Sequence, residues 1–163
     1  MKKIGVYPGT FDPVTYGHID IMKRSLKVFD KVIVAVAPNP QKAPLFHVQE
    51  RVFMIQEATR GLKNLQIEQF EGLLVEFVKR QGGTAVIRGL RAVSDFEYEL
   101  QIALMNRKLD PEVETVFMMP NQEYTYLTSS IVKTVASYGG EVKDFVPEIV
   151  LKKLKEKLGK KST

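Results

Sequence analysis

The chain of 163 residues has no cysteine and no tryptophan. Without cysteine there is no disulfide, no thiolate metal site and no thiol nucleophile, and the composition suits a reducing compartment. Histidine is nearly as scarce, with His18 and His47 the whole supply. Long apolar runs are missing too. The longest, Val32 to Ala37, falls far short of the roughly 20 residues a bilayer-spanning helix needs, and Ile4-Gly5-Val6 behind Met1-Lys2-Lys3 is too short for the apolar stretch of a secretion signal. The expectation is a soluble, cytoplasmic protein with no membrane partner. What is present is ordinary globular material, 44% hydrophobic and 26% charged, at the size of one domain able to bury a core without covalent staples.

The formal charge of +5 would suggest nucleic acid if it were spread over a working face. Its placement argues otherwise. Six lysines (Lys152, Lys153, Lys155, Lys157, Lys160, Lys161) and one acid, Glu156, fall within the last twelve residues, so this segment carries the entire excess. A lysine-rich helix and tail over about 147–163 is expected to be a solvated end rather than a binding arm, and no nucleic-acid partner is expected.

Short strand-like runs alternate with helix-like segments. The strand candidates are Lys3–Tyr7, Lys31–Ala37, Leu65–Phe70, Ala85–Arg88 and Thr115–Met119. Apolar residues recur at helical spacing between them: Ile19, Met22, Leu26 and Phe29; Val48, Val52 and Ile55; Phe96, Leu100, Ala103 and Leu104. Each set is expected to form a buried stripe. Breakers such as Pro38-Asn39-Pro40, Gly82-Gly83, Asp110-Pro111 and Gly139-Gly140 separate the elements, and no linker divides the chain. This pattern predicts an α/β fold of a single domain, a Rossmann-like doubly wound parallel five-stranded sheet with helices on both faces. In such sheets ligands bind beyond the carboxyl ends of the strands, so chemistry belongs in the turns after them.

Neither G-x-G-x-x-G after the first strand nor G-x-x-x-x-G-K-[ST] is present, which argues against dinucleotide oxidoreductases and P-loop kinases. The first strand leads instead into Gly9-Thr10-Phe11-Asp12-Pro13-Val14-Thr15-Tyr16-Gly17-His18, with a periodic helix directly after Gly17. A strand turning through glycine lets backbone N–H groups approach an anion, and the first turn of the next helix adds a fixed positive field. His18 falls at that first turn and Thr10 adds a hydroxyl. A lone Gly-His would be an ordinary turn beside a surface histidine; the whole string is far more specific.

Gly-Thr-Phe-Asp-Pro followed by Thr-x-Gly-His resembles the first-strand motif of the nucleotidyltransferase superfamily, with Thr15 in place of the first histidine of H-x-G-H. That replacement is the variant of the phosphopantetheine adenylyltransferases. Ile87-Arg88-Gly89-Leu90-Arg91-Ala92-Val93-Ser94-Asp95-Phe96-Glu97-Tyr98-Glu99 is similar to the same family's central motif, and Asn106-Arg107 continues its helix. Thr128-Ser129-Ser130-Ile131-Val132-Lys133 resembles the superfamily's I-S-S-T-x-x-R, with Lys133 where many relatives carry arginine, so Lys133 stays outside the catalytic set.

The resemblance implies transfer of the adenylyl group of ATP to 4′-phosphopantetheine, giving dephospho-coenzyme A and pyrophosphate. It implies His18, Lys42 and Arg91 as catalytic residues, His18 donating to the α-phosphate and Lys42 bridging the two phosphates from the turn after the second strand. Thr10, Phe11, His18, Arg88, Gly89, Leu90, Arg91, Glu99 and the run Tyr124, Thr125, Tyr126, Leu127, Thr128, Ser129, Ser130 map to ATP contacts. Thr10, Lys42, Leu73, Leu74, Arg88, Met105 and Asn106 map to the phosphopantetheine side. Mg2+ is expected, bound mainly through ATP phosphates; a homohexamer and coenzyme A as a feedback ligand are implied in the same way. A phosphomonoester has a second pKa of about 6, so the nucleophile is largely dianionic at neutral pH and needs no enzymic base. That agrees with a chain lacking the parts for covalent catalysis. On the residues alone plainer roles stay open: Arg91 as an ion pair with Asp95 or Glu97, Glu99 as a helix carboxylate, Ser129 or Ser130 as a helix cap, the leucines and Met105 as core. The rival functions are another adenylyl- or cytidylyltransferase acting on a different phosphate, and a non-enzymatic nucleotide-binding protein.

Overall fold

The computed structural model describes residues 1–159; Lys160 and Lys161 of the basic tail lie outside the described residues. Five strands, β1 (Ile4–Gly9), β2 (Lys31–Val36), β3 (Leu65–Gln69), β4 (Ala85–Gly89) and β5 (Glu114–Met118), form one all-parallel sheet in the order β3-β2-β1-β4-β5. Helices α1 (Tyr16–Ser25), α2 (Val48–Ala58), α3 (Leu74–Arg80) and α4 (Val93–Leu109) make the four crossovers, and α5 (Ser129–Ser137) and α6 (Glu148–Leu158) follow β5. After β3 the chain returns across the sheet to place β4 against β1, so the strand order reverses between these two. A crevice opens at the carboxyl ends of the strands at such a point.

The central strands read as continuous apolar runs because both faces are covered. Side-chain alternation then sorts them. Tyr7, Val32, Val34, Val36, Ala85 and Ile87 join the larger core with residues of α1, α2, α5 and α6. Val6, Ile33, Ala35 and Val86 join a smaller one with Phe77 and Val78 of α3. At the centre the sheet leaves no room for a side chain at Gly5, where a Cβ would stand 2.5 Å from Ile87 Cδ1.

Two expectations change. The apolar stripe of α4 is not buried: Phe96, Leu100, Leu104 and Met105 are exposed, Leu104 at 56% and Met105 at 59%. The helix runs for 17 residues beside an α3 of seven, against β5 at the sheet edge, where Phe96 packs edge-on against Phe117 at 5.7 Å. The basic C-terminal segment, in turn, is more than a solvated end. Val150 and Leu154 of α6 lie in the larger core, while Lys157 reaches Glu50 of α2 at 3.0 Å and sits over the Phe46 ring.

Candidate active site

A cavity of about 650 Å³ opens at the carboxyl edge of the sheet, and residues at or after the carboxyl ends of all five strands line it: Gly9 and Thr10, Asn39 and Lys42, Phe70, Arg88 and Arg91, and Pro120. The first turns of α1 (Gly17, His18) and α5 (Ser129, Ser130) join that lining. Two helix N-termini and the cations Lys42, Arg88, Arg91 and Lys133 therefore meet in one crevice, a setting for phosphate groups.

Thr15 is the N-cap of α1, and the helix starts one residue before Gly17. Its backbone N–H donates to His18 Nδ1 at 3.0 Å, and the His18 backbone N–H donates to Thr15 Oγ1 at 3.4 Å. This reciprocal cap has a chemical consequence. An amide N–H can donate only to an unprotonated ring nitrogen, so His18 is a neutral imidazole whose remaining proton sits on Nε2. Burial, and then the Arg91 cation, push its pKa down to about 4. The Phe11 ring packs edge-on against it at 5.0 Å. Phe11 itself has a left-handed backbone, φ 50°, directly after Thr10.

Arg88 is the last residue but one of β4, its guanidinium gripped by both oxygens of Glu99 on α4, Nε to Oε2 at 2.7 Å and Nη2 to Oε1 at 2.6 Å, while Nη1 donates to the Pro8 carbonyl at 3.2 Å. Burial disfavours its charge, but the Glu99 carboxylate outweighs that and holds the guanidinium firmly protonated. The pairing fixes the plane of the fork and leaves its remaining N–H groups for an anion. Arg91 Nε lies 3.3 Å from Asp95 Oδ2, the plainer of its two readings, yet Arg91 also lines the cavity.

Of the residues singled out in the sequence, Thr10, Phe11, His18, Lys42, Leu74, Arg88, Gly89, Arg91, Glu99, Tyr124, Leu127, Thr128, Ser129 and Ser130 come together around the cavity. Leu73, Leu90, Met105, Asn106, Thr125 and Tyr126 are not among its walls. Leu73 is an exposed residue before α3, Met105 and Asn106 ride on α4, and Leu90 N–H bonds the Met118 carbonyl. The cap of α5 is Thr128, accepting from Ile131 N–H at 3.1 Å, rather than Ser129 or Ser130. The Ser129 hydroxyl instead donates to the Pro13 carbonyl at 2.7 Å, tying α5 to the β1–α1 turn.

Three residues carry weight that the sequence reading did not assign. Asp12, 4% exposed, accepts from Leu45 and Phe46 N–H groups at 2.8 and 2.9 Å and pairs with Lys133 Nζ at 2.8 Å. Asn39 donates to Thr10 Oγ1 at 3.0 Å. Arg51 is 1% exposed and spends its guanidinium on backbone carbonyls. Asp12 stood inside the quoted motif; Arg51 had no local signal at all.

The family model described as cytidylyltransferase-like matches residues 6–135. The phosphopantetheine adenylyltransferase of Caldanaerobacter subterraneus subsp. tengcongensis is 54% identical over 158 residues, covering 97% of this chain and 99% of that one. The protein of the same name from Thermodesulfovibrio yellowstonii is 56% identical over 161 residues, covering 98% and 100%. The chain belongs to the phosphopantetheine adenylyltransferase family. A solved chain from Vibrio parahaemolyticus shares the fold, superposing with a TM-score of 0.74 at 18% identity and covering 99% of this chain and 98% of that one. In this chain Thr15 and His18 form the reciprocal cap that opens α1 at the cavity wall.

Proposed function

We propose that the protein transfers the adenylyl group of ATP to 4′-phosphopantetheine, releasing pyrophosphate and dephospho-coenzyme A. The observation that carries this is the convergence of two helix N-termini and four side-chain cations on one cavity at the strand reversal. Such a site binds and aligns two polyanions. A phosphate oxygen of 4′-phosphopantetheine attacks the α-phosphorus of ATP in line, the bond from that phosphorus to the bridging oxygen breaks, and pyrophosphate carries away the electron pair.

In this reading His18 donates its Nε2 proton in a hydrogen bond to the α-phosphate as negative charge grows there, without transferring it. A neutral donor suits the step because its orientation is preset by Thr15 and costs no reorganisation. Lys42 spans the attacking and attacked phosphates, and Arg88, oriented by Glu99, holds the acceptor phosphate with Thr10. Arg91, Gly89, Tyr124, Leu127, Thr128, Ser129 and Ser130, which line the cavity, serve the nucleotide, and Leu74 borders the pantetheine arm; Leu73, Met105 and Asn106, outside the walls, meet that arm only where it extends beyond the cavity. Coenzyme A, which shares that arm, competes for the same cavity, and the protein works in the cytoplasm.

Magnesium enters with ATP. Among the described residues no three His, Cys, Asp or Glu side chains cluster to cage a cation. The cavity carboxylates are both engaged, Asp12 by two amides and Lys133, Glu99 by Arg88. With these carboxylates engaged, magnesium would be held by the substrate phosphates, where it would supply charge shielding for the leaving pyrophosphate. The exposed apolar face of α4 fits burial against other copies of the chain, in keeping with a homohexamer.

The test is pyrophosphate release by purified protein with ATP, Mg2+ and 4′-phosphopantetheine. Turnover with that acceptor, and none with nicotinamide mononucleotide or glycerol phosphate, is expected; activity confined to another acceptor overturns the substrate assignment. Isolation of an adenylylated protein on the reaction path overturns the direct in-line step.

A further inference from the structure

Lys42 rides on an arch between β2 and α2 whose backbone is left-handed at Asn39 (φ 45°) and Ala43 (φ 43°), with a 3-10 turn, Pro40–Lys42, between them. Thr10, across the cavity mouth, is followed by a third left-handed residue, Phe11. Non-glycine residues hold that conformation only where their surroundings impose it. One side chain touches both segments. From the first turn of α2, Arg51 sends Nη1 to the Thr10 carbonyl and to the Ala37 carbonyl, both at 2.7 Å, Nη2 to the Pro38 carbonyl at 2.9 Å and Nε to the Phe46 carbonyl at 3.0 Å. These four carbonyls stand at the first foot of the arch, at its second foot and beside the Phe11 turn. Asp12 grips the second foot from the opposite side through the amides of Leu45 and Phe46. The Asn39 side chain ties the crown to the Thr10 hydroxyl at 3.0 Å.

We infer that Arg51 is a positioning residue for the acceptor half of the reaction, acting through Lys42 and Thr10 by clamping the feet of the Lys42 arch to the end of β1. The inference rests on the reaction proposed above. Arg51 is fully buried and, among the described residues, its guanidinium donates to four main-chain carbonyls, so it holds no substrate itself. The planar guanidinium suits this task because its fixed donors reach four carbonyls at set angles; an ammonium has three donors and a different geometry. A lysine in its place keeps the buried charge but frees one foot. The nucleotide side is built mainly on the starts of α1 and α5 and on β4, outside the clamp; Thr10, mapped to both substrates, is where the clamp meets it.

The experiment is steady-state kinetics of pyrophosphate release with each substrate varied at saturation of the other. Arg51→Lys is expected to raise the KM for 4′-phosphopantetheine at least fivefold while the KM for ATP stays within twofold. In a Lys42→Ala background, adding Arg51→Lys is expected to give little further rise, because the residue acted through that lysine. A purely structural arginine would instead lower the melting temperature and the active fraction, leaving both KM values unchanged; that result overturns the inference. Where Arg51→Lys fails to fold, Asn39→Ala loosens the crown without disturbing the buried cation, and an unchanged acceptor KM in that variant overturns the inference equally. Wild-type protein that turns over normally while a variant shows no split overturns this inference alone. Wild-type protein inert toward 4′-phosphopantetheine overturns the functional reading and this inference with it.

Discussion

At the scale of single residues, the chemistry turns on which atoms are already spoken for. His18 has one nitrogen committed to Thr15 N–H, leaving a single ring donor, the one proposed to meet the α-phosphate. Removing a preorganised donor of this kind costs roughly 10²- to 10³-fold in kcat, which is the loss expected for His18→Ala in a variant that keeps the wild-type fold. With its pKa near 4 against 6.5 in an unfolded chain, the unfolded state binds more protons between those values. Stability therefore rises with pH across that window and falls as pH drops toward 4. An NMR titration of the ring should show a midpoint near 4 without nucleotide, and a higher one once ATP places negative charge beside it; an ordinary midpoint near 6.5 in the free protein contradicts the cap geometry. Glu99 gives a second test. Both its oxygens hold Arg88, so Glu99→Gln should raise the acceptor KM about tenfold, the scale of losing a charge-assisted hydrogen bond, with a smaller change for ATP. A rise confined to the ATP KM would point to direct contact with the nucleotide.

At the scale of elements, local pattern and long-range pairing separate clearly. All five strands were legible to within about two residues at each end, because β-branched runs bounded by Pro, Gly and Asn punctuation report directly on extended backbone. The first turn of α1 was legible for the same local reason. Arg51 was not, since a charged residue within an amphipathic helix looks solvent-facing until the carbonyls of two earlier segments, at Thr10 and at Ala37-Pro38, fold around it beside that of Phe46. Nor was the role of α6: the lysines dominate its reading, while Val150 and Leu154, four residues apart, reach the core. Leu154→Ala should accordingly destabilise the protein by about 2–5 kcal/mol in denaturant unfolding. A change under 0.5 kcal/mol would return α6 to the status of a solvated end. Deleting residues 152–163 removes Leu154 and the Lys157 contacts with Glu50 and Phe46, so loss of folded protein is expected before any loss specific to catalysis.

At the scale of the whole molecule, a sheet buried on both faces delivers the ends of five strands to one edge, while α4 carries apolar side chains outward on another surface. The sequence shows that stripe plainly at Phe96, Leu100 and Leu104. It cannot say whether the partner is the chain's own core or a second chain, because the spacing is the same in both cases. Sedimentation should find a hexamer in the wild type and smaller species for Leu104→Glu; a wild-type monomer at micromolar concentration would contradict the assembly proposed. The central claim concerns the crevice itself: helix starts and fixed cations align two phosphates, and the nucleotide belongs at the carboxyl edge of the sheet. Electron density for ATP in a crystal of the protein measures this directly. The account predicts triphosphate oxygens within hydrogen-bond distance of His18 Nε2 and at the first turn of α5; a triphosphate seated at the amino ends of the strands would contradict it.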